Sequence, residues 1–297
     1  MDLTKKIYVA GHEGLLGQAL CRKLEKLGAR DVITSSREEL DLCNQASTEL
    51  FFATARPDYV FLCAALDLGI LGHLRRPADM LLENLQIQNN VIDAARRCGS
   101  RKLLFFASSG AYPKTAPRPI REDCLLDGPL EEATEEFALA KIAGIKLCAA
   151  SRRQYGFDAI SAVPVNLYGP GDYFHPEYGR ILAALMRRIS DAMRAGLEEV
   201  VLPGTGLPLH EFMYVDDLAG AAVKLMGNYS AEKPVNIGSG LEIRVSDLAR
   251  RIAKLMEYRG KIVMDPSGPE AAPRKLLDYM TMQSMNWWPS TSFDDGL

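Results

Sequence analysis

Three glycines near the start of the chain, Gly11, Gly14 and Gly17, have the spacing that points most directly to chemistry. They follow a short apolar run at 6–10 and lead into 15–27, where Leu16, Ala19, Leu20, Leu24 and Leu27 recur with helical period. A tight strand-to-helix turn needs the backbone freedom of the first glycine. The second lets a pyrophosphate approach the main chain, and the third lets helix and sheet pack closely. The helix N-terminus behind them offers amide donors and a partial positive charge to an anion. A GxxGxxG alone marks only a turn, but with a strand before it and a helix after it the expectation is a dinucleotide site. The next strand tip reads Thr34-Ser35-Ser36-Arg37. It has no carboxylate to bind a ribose diol, and Arg37 suits a 2′-phosphate. Glu13, inside the glycine loop, opposes that phosphate. NADP is therefore expected, with NAD left open.

The elements that must position this loop alternate. After 6–10 and 15–27, closed by Gly28, come a strand at 32–34, a helix at 47–55, a strand at 59–63 and a long helix at 77–98 ending at Gly99. A strand at 102–107, a long helix at 132–154 and a strand at 159–163 follow. Such alternation predicts an α/β fold: a Rossmann-type doubly wound parallel sheet with helices on both faces. Past Pro164 the pattern loosens. Helices are expected at 181–195, 216–226 and 245–256, with short strands at 200–202, 235–237 and 261–263. The expected division is a dinucleotide-binding domain at 1–166, to which about 209–240 returns, and a smaller C-terminal α/β substrate lobe at 167–297.

Composition excludes other classes. The 35 basic and 38 acidic residues of the 297 leave a net charge of -3, without the basic excess of a nucleic-acid binder. Apolar residues at 47% and charged residues at 25% are ordinary for a globular protein. No apolar run approaches the ~18 residues of a membrane span, and Gly11 to Gly14 interrupt any signal-peptide core. The six cysteines form no CxxC pair and read as small buried hydrophobes. The four histidines lack metal-ligand spacing. A cytoplasmic, metal-free protein follows.

Four segments then converge: the glycine loop, Ser108-Ser109-Gly110-Ala111-Tyr112-Pro113, Phe137-Ala138-Leu139-Ala140-Lys141, and Asn166-Leu167-Tyr168-Gly169-Pro170. Their order and spacing resemble the extended short-chain dehydrogenases that act on nucleotide sugars. Within these, 141–148, Tyr173-Phe174-His175-Pro176 and 273–278 resemble the GDP-L-fucose synthases, NADPH-dependent 3,5-epimerase/4-reductases of GDP-4-keto-6-deoxymannose. The resemblance implies a GDP-linked sugar substrate and a homodimer joined through a four-helix bundle of 77–98 and 132–154. It places the cofactor on Gly11, Gly14, Leu15, Leu16, Gly17, Arg37, Lys141, Pro164 and Leu167. It places the substrate on Asn166, Arg180, Arg188, His210 and Lys275, with Arg188 and Lys275 at the diphosphate. It also implies that the family continues beyond 292–297, which reads as the start of a helix.

Ketone reduction puts hydride on carbon and a proton on oxygen. In the family a tyrosine one helical turn before a lysine gives the proton, and a serine at a strand end binds the carbonyl. Ser108 and Lys141 match the serine and the lysine, but the tyrosine position holds Phe137, which has no proton to give. The epimerising cysteine and histidine fall on Gly110 and Arg180, and the family's nucleotide-binding tryptophan and arginine fall on Pro203 and His210. Arginine stays charged and shuttles no proton. Two readings follow. One is a 4-keto nucleotide-sugar reductase impaired at Phe137, an engineered substitution included. The other is a naturally degenerate member that binds a dinucleotide or nucleotide sugar, or serves a partner.

Overall fold

The structure is a computed structural model and describes residues 1–268 and 274–297; Pro273 of the 273–278 motif lies outside the described residues. The first half builds β1 (Lys6–Ala10), α1 (Leu15–Lys26), β2 (Asp31–Ile33), α2 (Gln45–Ala55), β3 (Tyr59–Leu62), α3 (Ile70–Arg75), α4 (Pro77–Arg97), β4 (Lys102–Phe106), α5 (Glu135–Tyr155) and β5 (Asp158–Pro164). The second half adds β6 (Asn166–Tyr168), α6 (Ile181–Arg194), β7 (Glu199–Pro203), β8 (Leu209–Tyr214), α7 (Val215–Asn228) and β9 (Val235–Ile237). After these come β10 (Glu242–Arg244), α8 (Val245–Leu255), β11 (Lys261–Asp265), β12 (Arg274–Lys275), α9 (Met280–Ser284) and α10 (Phe293–Gly296).

Strands in the order β2-β1-β3-β4-β5-β9 form a six-stranded sheet in which every pairing is parallel. Helices cover it, so its inner strands are buried: every residue of β4, the charged Lys102 included, is enclosed. The chain leaves β1 for β2 on one side and returns to β3 on the other. That reversal opens a crevice at the strands' carboxyl ends, where ligands of such sheets bind.

A second sheet, β10-β8-β12 with β6 also on β8, stands beside the pair β7–β11. Its core gathers Tyr168, Leu182, Leu185, Ile189, Phe212, Leu248, Ile252 and Phe293. The buried positions of α8, Val245, Leu248, Ala249, Ile252 and Ala253, recur at helical spacing and explain why so polar a segment folds there. Within 209–240, α7 packs on α1 and β4 and β9 extends the large sheet, whereas β8 belongs to the second sheet.

Three readings need correction. Residues 132–134 are a 3-10 turn, and α5 begins only at Glu135, because Thr134 at φ -135° and ψ 18° leaves the helical region. The helix α3 and the strands β6, β8, β10 and β12 stand where no regular element was expected. Of the cysteines only Cys124 and Cys148 are buried; the other four are half-buried, and none is paired. No helix among the described residues is long and apolar enough to cross a membrane.

Candidate active site

The glycine loop is set by backbone contact. Gly11 has φ +81°, and a Cβ there would lie 2.6 Å from the Cα of Ala64, just past β3. A Cβ on Gly17 would lie 2.1 Å from the Gly11 carbonyl oxygen and 2.6 Å from the His12 Cα. Gly14 differs. It caps α1 with φ -75°, its N–H donates to the Gly11 carbonyl at 3.2 Å, and an added Cβ would meet only that oxygen, at an ordinary 3.5 Å. The protein itself therefore tolerates a side chain at Gly14. No side chain caps α1 and no acid sits in its first turn, so its N-terminal amides suit a pyrophosphate. Leu15 is buried behind the loop and Leu16 half-buried.

At the tip of β2 the exposed Arg37 guanidinium lies 3.2 Å from Glu83 on α4, and its backbone N–H donates to Glu13 at 3.4 Å. The cation expected for a 2′-phosphate thus shares its surroundings with two carboxylates. Pro164 closes β5, and Leu167 is buried in β6.

A cavity opens along the carboxyl ends of β3 and β4. It brings together Ser108, Phe137, Asn166, Arg180, Arg188, His210 and Lys275 from across the sequence. Ser108 heads the turn Ser109–Ala111 and accepts the Gly110 N–H at 3.1 Å, which leaves its own O–H to donate. Phe137 and Lys141 lie one turn apart on α5, both buried. The Lys141 Nζ donates to the Phe106 carbonyl at 3.2 Å and stands 5.3 Å from the centre of the Phe137 ring. Burial pushes the Lys141 ammonium down to about 8, against the opposing pull of Asp67.

Three cations, Arg180, Arg188 and Lys275, also line the cavity. Arg180 pairs with Asp172 at 2.8 Å and with Asp67 at 3.7 Å. Arg188 donates to the Pro176 carbonyl at 2.8 Å. Lys275 reaches the Ser109 carbonyl at 3.4 Å; burial pushes it down to about 8 while Glu131 pulls the other way. The Asn166 amide is engaged with the Glu211 carbonyl at 3.1 Å, and the His210 ring lies 6.3 Å from that of Phe212. Pro203 also lines the cavity.

Two residues absent from the sequence reading complete the site. Asp67 and His73 both line the cavity, with His73 Nε2 3.3 Å from Asp67 Oδ1. Their available signal was a carboxylate five residues past the end of a central parallel strand. The segment between them is sewn to the opposite rim. Gly69 N–H donates to the Tyr178 carbonyl at 2.7 Å, and a Cβ on Gly69 would sit 2.3 Å from the Gly179 carbonyl oxygen.

Comparison with known proteins shows the family. Residues 7–238 match the NAD dependent epimerase/dehydratase family. The chain is 51% identical over its full length, and over 90% of the relative, to probable GDP-L-fucose synthase 1 of Oryza sativa subsp. japonica. It is 40% identical to the GDP-L-fucose synthase of Escherichia coli (strain K12), covering 99% of this chain and 94% of that one. A GDP-mannoheptose C4 reductase from Campylobacter jejuni, solved with NADP bound, superposes with a TM-score of 0.88 at 34% identity, covering 100% of this chain and 96% of that one. The chain is therefore a member of the NAD dependent epimerase/dehydratase family, an extended short-chain dehydrogenase/reductase close to the GDP-L-fucose synthases.

Proposed function

We propose that the protein is an NADPH-dependent reductase of a GDP-linked 4-keto-6-deoxyhexose, slowed by the absence of a hydroxyl at Phe137. One observation carries this reading: a single cavity is lined by Ser108 and Phe137 and also by Arg180, Arg188 and Lys275. A carbonyl group and a diphosphate can be held there at once. The names of the relatives, GDP-L-fucose synthases and a GDP-heptose reductase with NADP, support the same substrate class and cofactor.

Gly11, Gly14 and Gly17 would hold the dinucleotide, with Arg37 at its 2′-phosphate, and the dinucleotide would supply hydride. Leu15, Leu16, Pro164 and Leu167 flank it, and Lys141 serves the nicotinamide ribose. Ser108 donates to the sugar carbonyl and polarises it. Arg188 and Lys275 hold the diphosphate, and Asn166, Arg180 and His210 line the rest of the substrate. In this reading 1–166, with α7 and β9, binds the dinucleotide and 167–297 covers the sugar. A homodimer would form through α4 and α5, which lie side by side and expose Leu82 and Leu139. The six unpaired thiols suit a reducing, cytoplasmic setting.

The test is NADPH consumption with GDP-4-keto-6-deoxymannose by the wild type and by Phe137→Tyr. A positioned acid contributes about 10²–10⁴-fold, so the tyrosine variant should exceed the wild type by at least about tenfold. If both proteins bind NADPH and the GDP-sugar while neither turns over, the reductase reading fails and a binding or partner role replaces it.

A further inference from the structure

Reduction at a site with phenylalanine in place of tyrosine leaves one question open: where the carbonyl oxygen finds its proton. Ser108 can donate a hydrogen bond, but a serine hydroxyl is too weak an acid to give its proton up. Lys141 is turned to the Phe106 carbonyl. One titratable ring remains against residue 137. His73 is 7% exposed, and its ring meets the Phe137 ring edge to face with 5.2 Å between centres.

We propose that His73, oriented by Asp67, is the proton donor to the substrate's carbonyl oxygen. This rests on the reductase reading above. His73 Nε2 donates to Asp67 Oδ1 at 3.3 Å, while its Nδ1 is enclosed and has no hydrogen-bond partner. A buried polar atom left unpaired costs about 1–3 kcal/mol, and a shift of the His73 side chain toward the cavity it lines would open Nδ1 to a substrate oxygen. Asp67 is equipped to steady a cationic ring. Burial works to raise its carboxyl, but the His73 hydrogen bond and the Arg180 guanidinium outweigh that and hold it below the usual range. A carboxylate that fixes the ring and stabilises the imidazolium is the familiar division of labour in histidine acid–base catalysis. Asp67 is thus a positioning residue and His73 the catalytic one.

The step balances. As the carbonyl carbon accepts hydride from the dihydronicotinamide, the C–O π pair moves onto oxygen. That oxygen takes the Nδ1 proton of the doubly protonated ring. A neutral imidazole remains, its Nε2–H still held by Asp67, and Nδ1 regains a proton from water that enters the cavity as the product leaves.

The experiment pairs turnover with a spectroscopic readout. The imidazole nitrogens of the four histidines are followed by NMR on the wild type while GDP-mannose is added in the presence of NADP⁺. The His73 Nδ1 resonance should move on binding, and Asp67→Asn should change the ring's tautomer balance. In NADPH consumption with GDP-4-keto-6-deoxymannose, His73→Asn should lose about 10²-fold in kcat with unchanged NADPH affinity. Adding Phe137→Tyr to His73→Asn should restore turnover, which also shows that the variant is folded. A His73→Asn kcat within threefold of the wild type, or an Nδ1 resonance unmoved by bound GDP-mannose, would overturn the assignment. An inactive wild type beside an active Phe137→Tyr would overturn it too, while leaving the reductase reading standing. Inactivity of both, with ligands bound, removes that reading and the proton donor with it.

Discussion

The two ends of the crevice are built from different materials. At the end proposed for the dinucleotide the determinants are main-chain atoms: Gly11 against Ala64 and Gly17 against the Gly11 carbonyl, each too close for a methyl group. At the sugar end they are charged and aromatic side chains that lean on one another: Arg180 between Asp67 and Asp172, His73 between Asp67 and Phe137. Backbone contacts admit almost no substitution. A ring of side chains can exchange members, because a cation or a hydrogen bond lost at one position can be supplied from another.

The largest test of that contrast is Gly17→Ala. Its Cβ would overlap backbone that has nowhere to go, so unfolding free energy should fall by about 3 kcal/mol and NADPH binding with it. Gly14→Ala should lose only about 1 kcal/mol of stability yet weaken NADPH at least about tenfold. Equal destabilisation by the two, in urea titrations, would break the distinction between a turn shaped for itself and one shaped for a ligand.

At the sugar end the expected effect is smaller and depends on pH. Lys275 binds an anion only while protonated, and burial has brought it down to about 8. GDP affinity should therefore fall about five- to tenfold as pH rises from 7 to 9, losing one charge-assisted contact. In Lys275→Gln the affinity should start low and stay nearly flat across that range, as read by calorimetry. A wild-type affinity that does not change with pH would place the diphosphate elsewhere.

The smallest effect is at the β2 tip, where the dinucleotide end does rely on side chains. Glu83→Gln should release Arg37 and raise the preference for NADPH over NADH by about threefold, the scale of an exposed ion pair. Arg37→Ala should lower it. No change in either variant would mean that Arg37 does not face the cofactor.

The same contrast explains what could be read from the residues alone. Glycine spacing and strand–helix alternation act through neighbours in sequence, and the large sheet and its loop are legible for that reason. The helix α3 is six residues long, pressed between Gly69 and Arg76, too short for any period to register. The strands β6, β10 and β12 have three residues or fewer and exist only because β8 passes between them. Asp67 and His73 carry meaning only once folding has brought Arg180 and Phe137 against them. That residue 137 is Phe is visible in the sequence, but the groups that fold against its ring are not.

The seam at Gly69 has a kinetic consequence. Because its N–H is held by the Tyr178 carbonyl, and because nothing larger than hydrogen fits against Gly179, the loop after β3 and the rim before α6 travel as one piece. The amide proton of Gly69 can exchange with deuterium only in the moments when that piece comes apart. Its exchange rate is then a clock for how often the sugar end of the molecule opens to its surroundings.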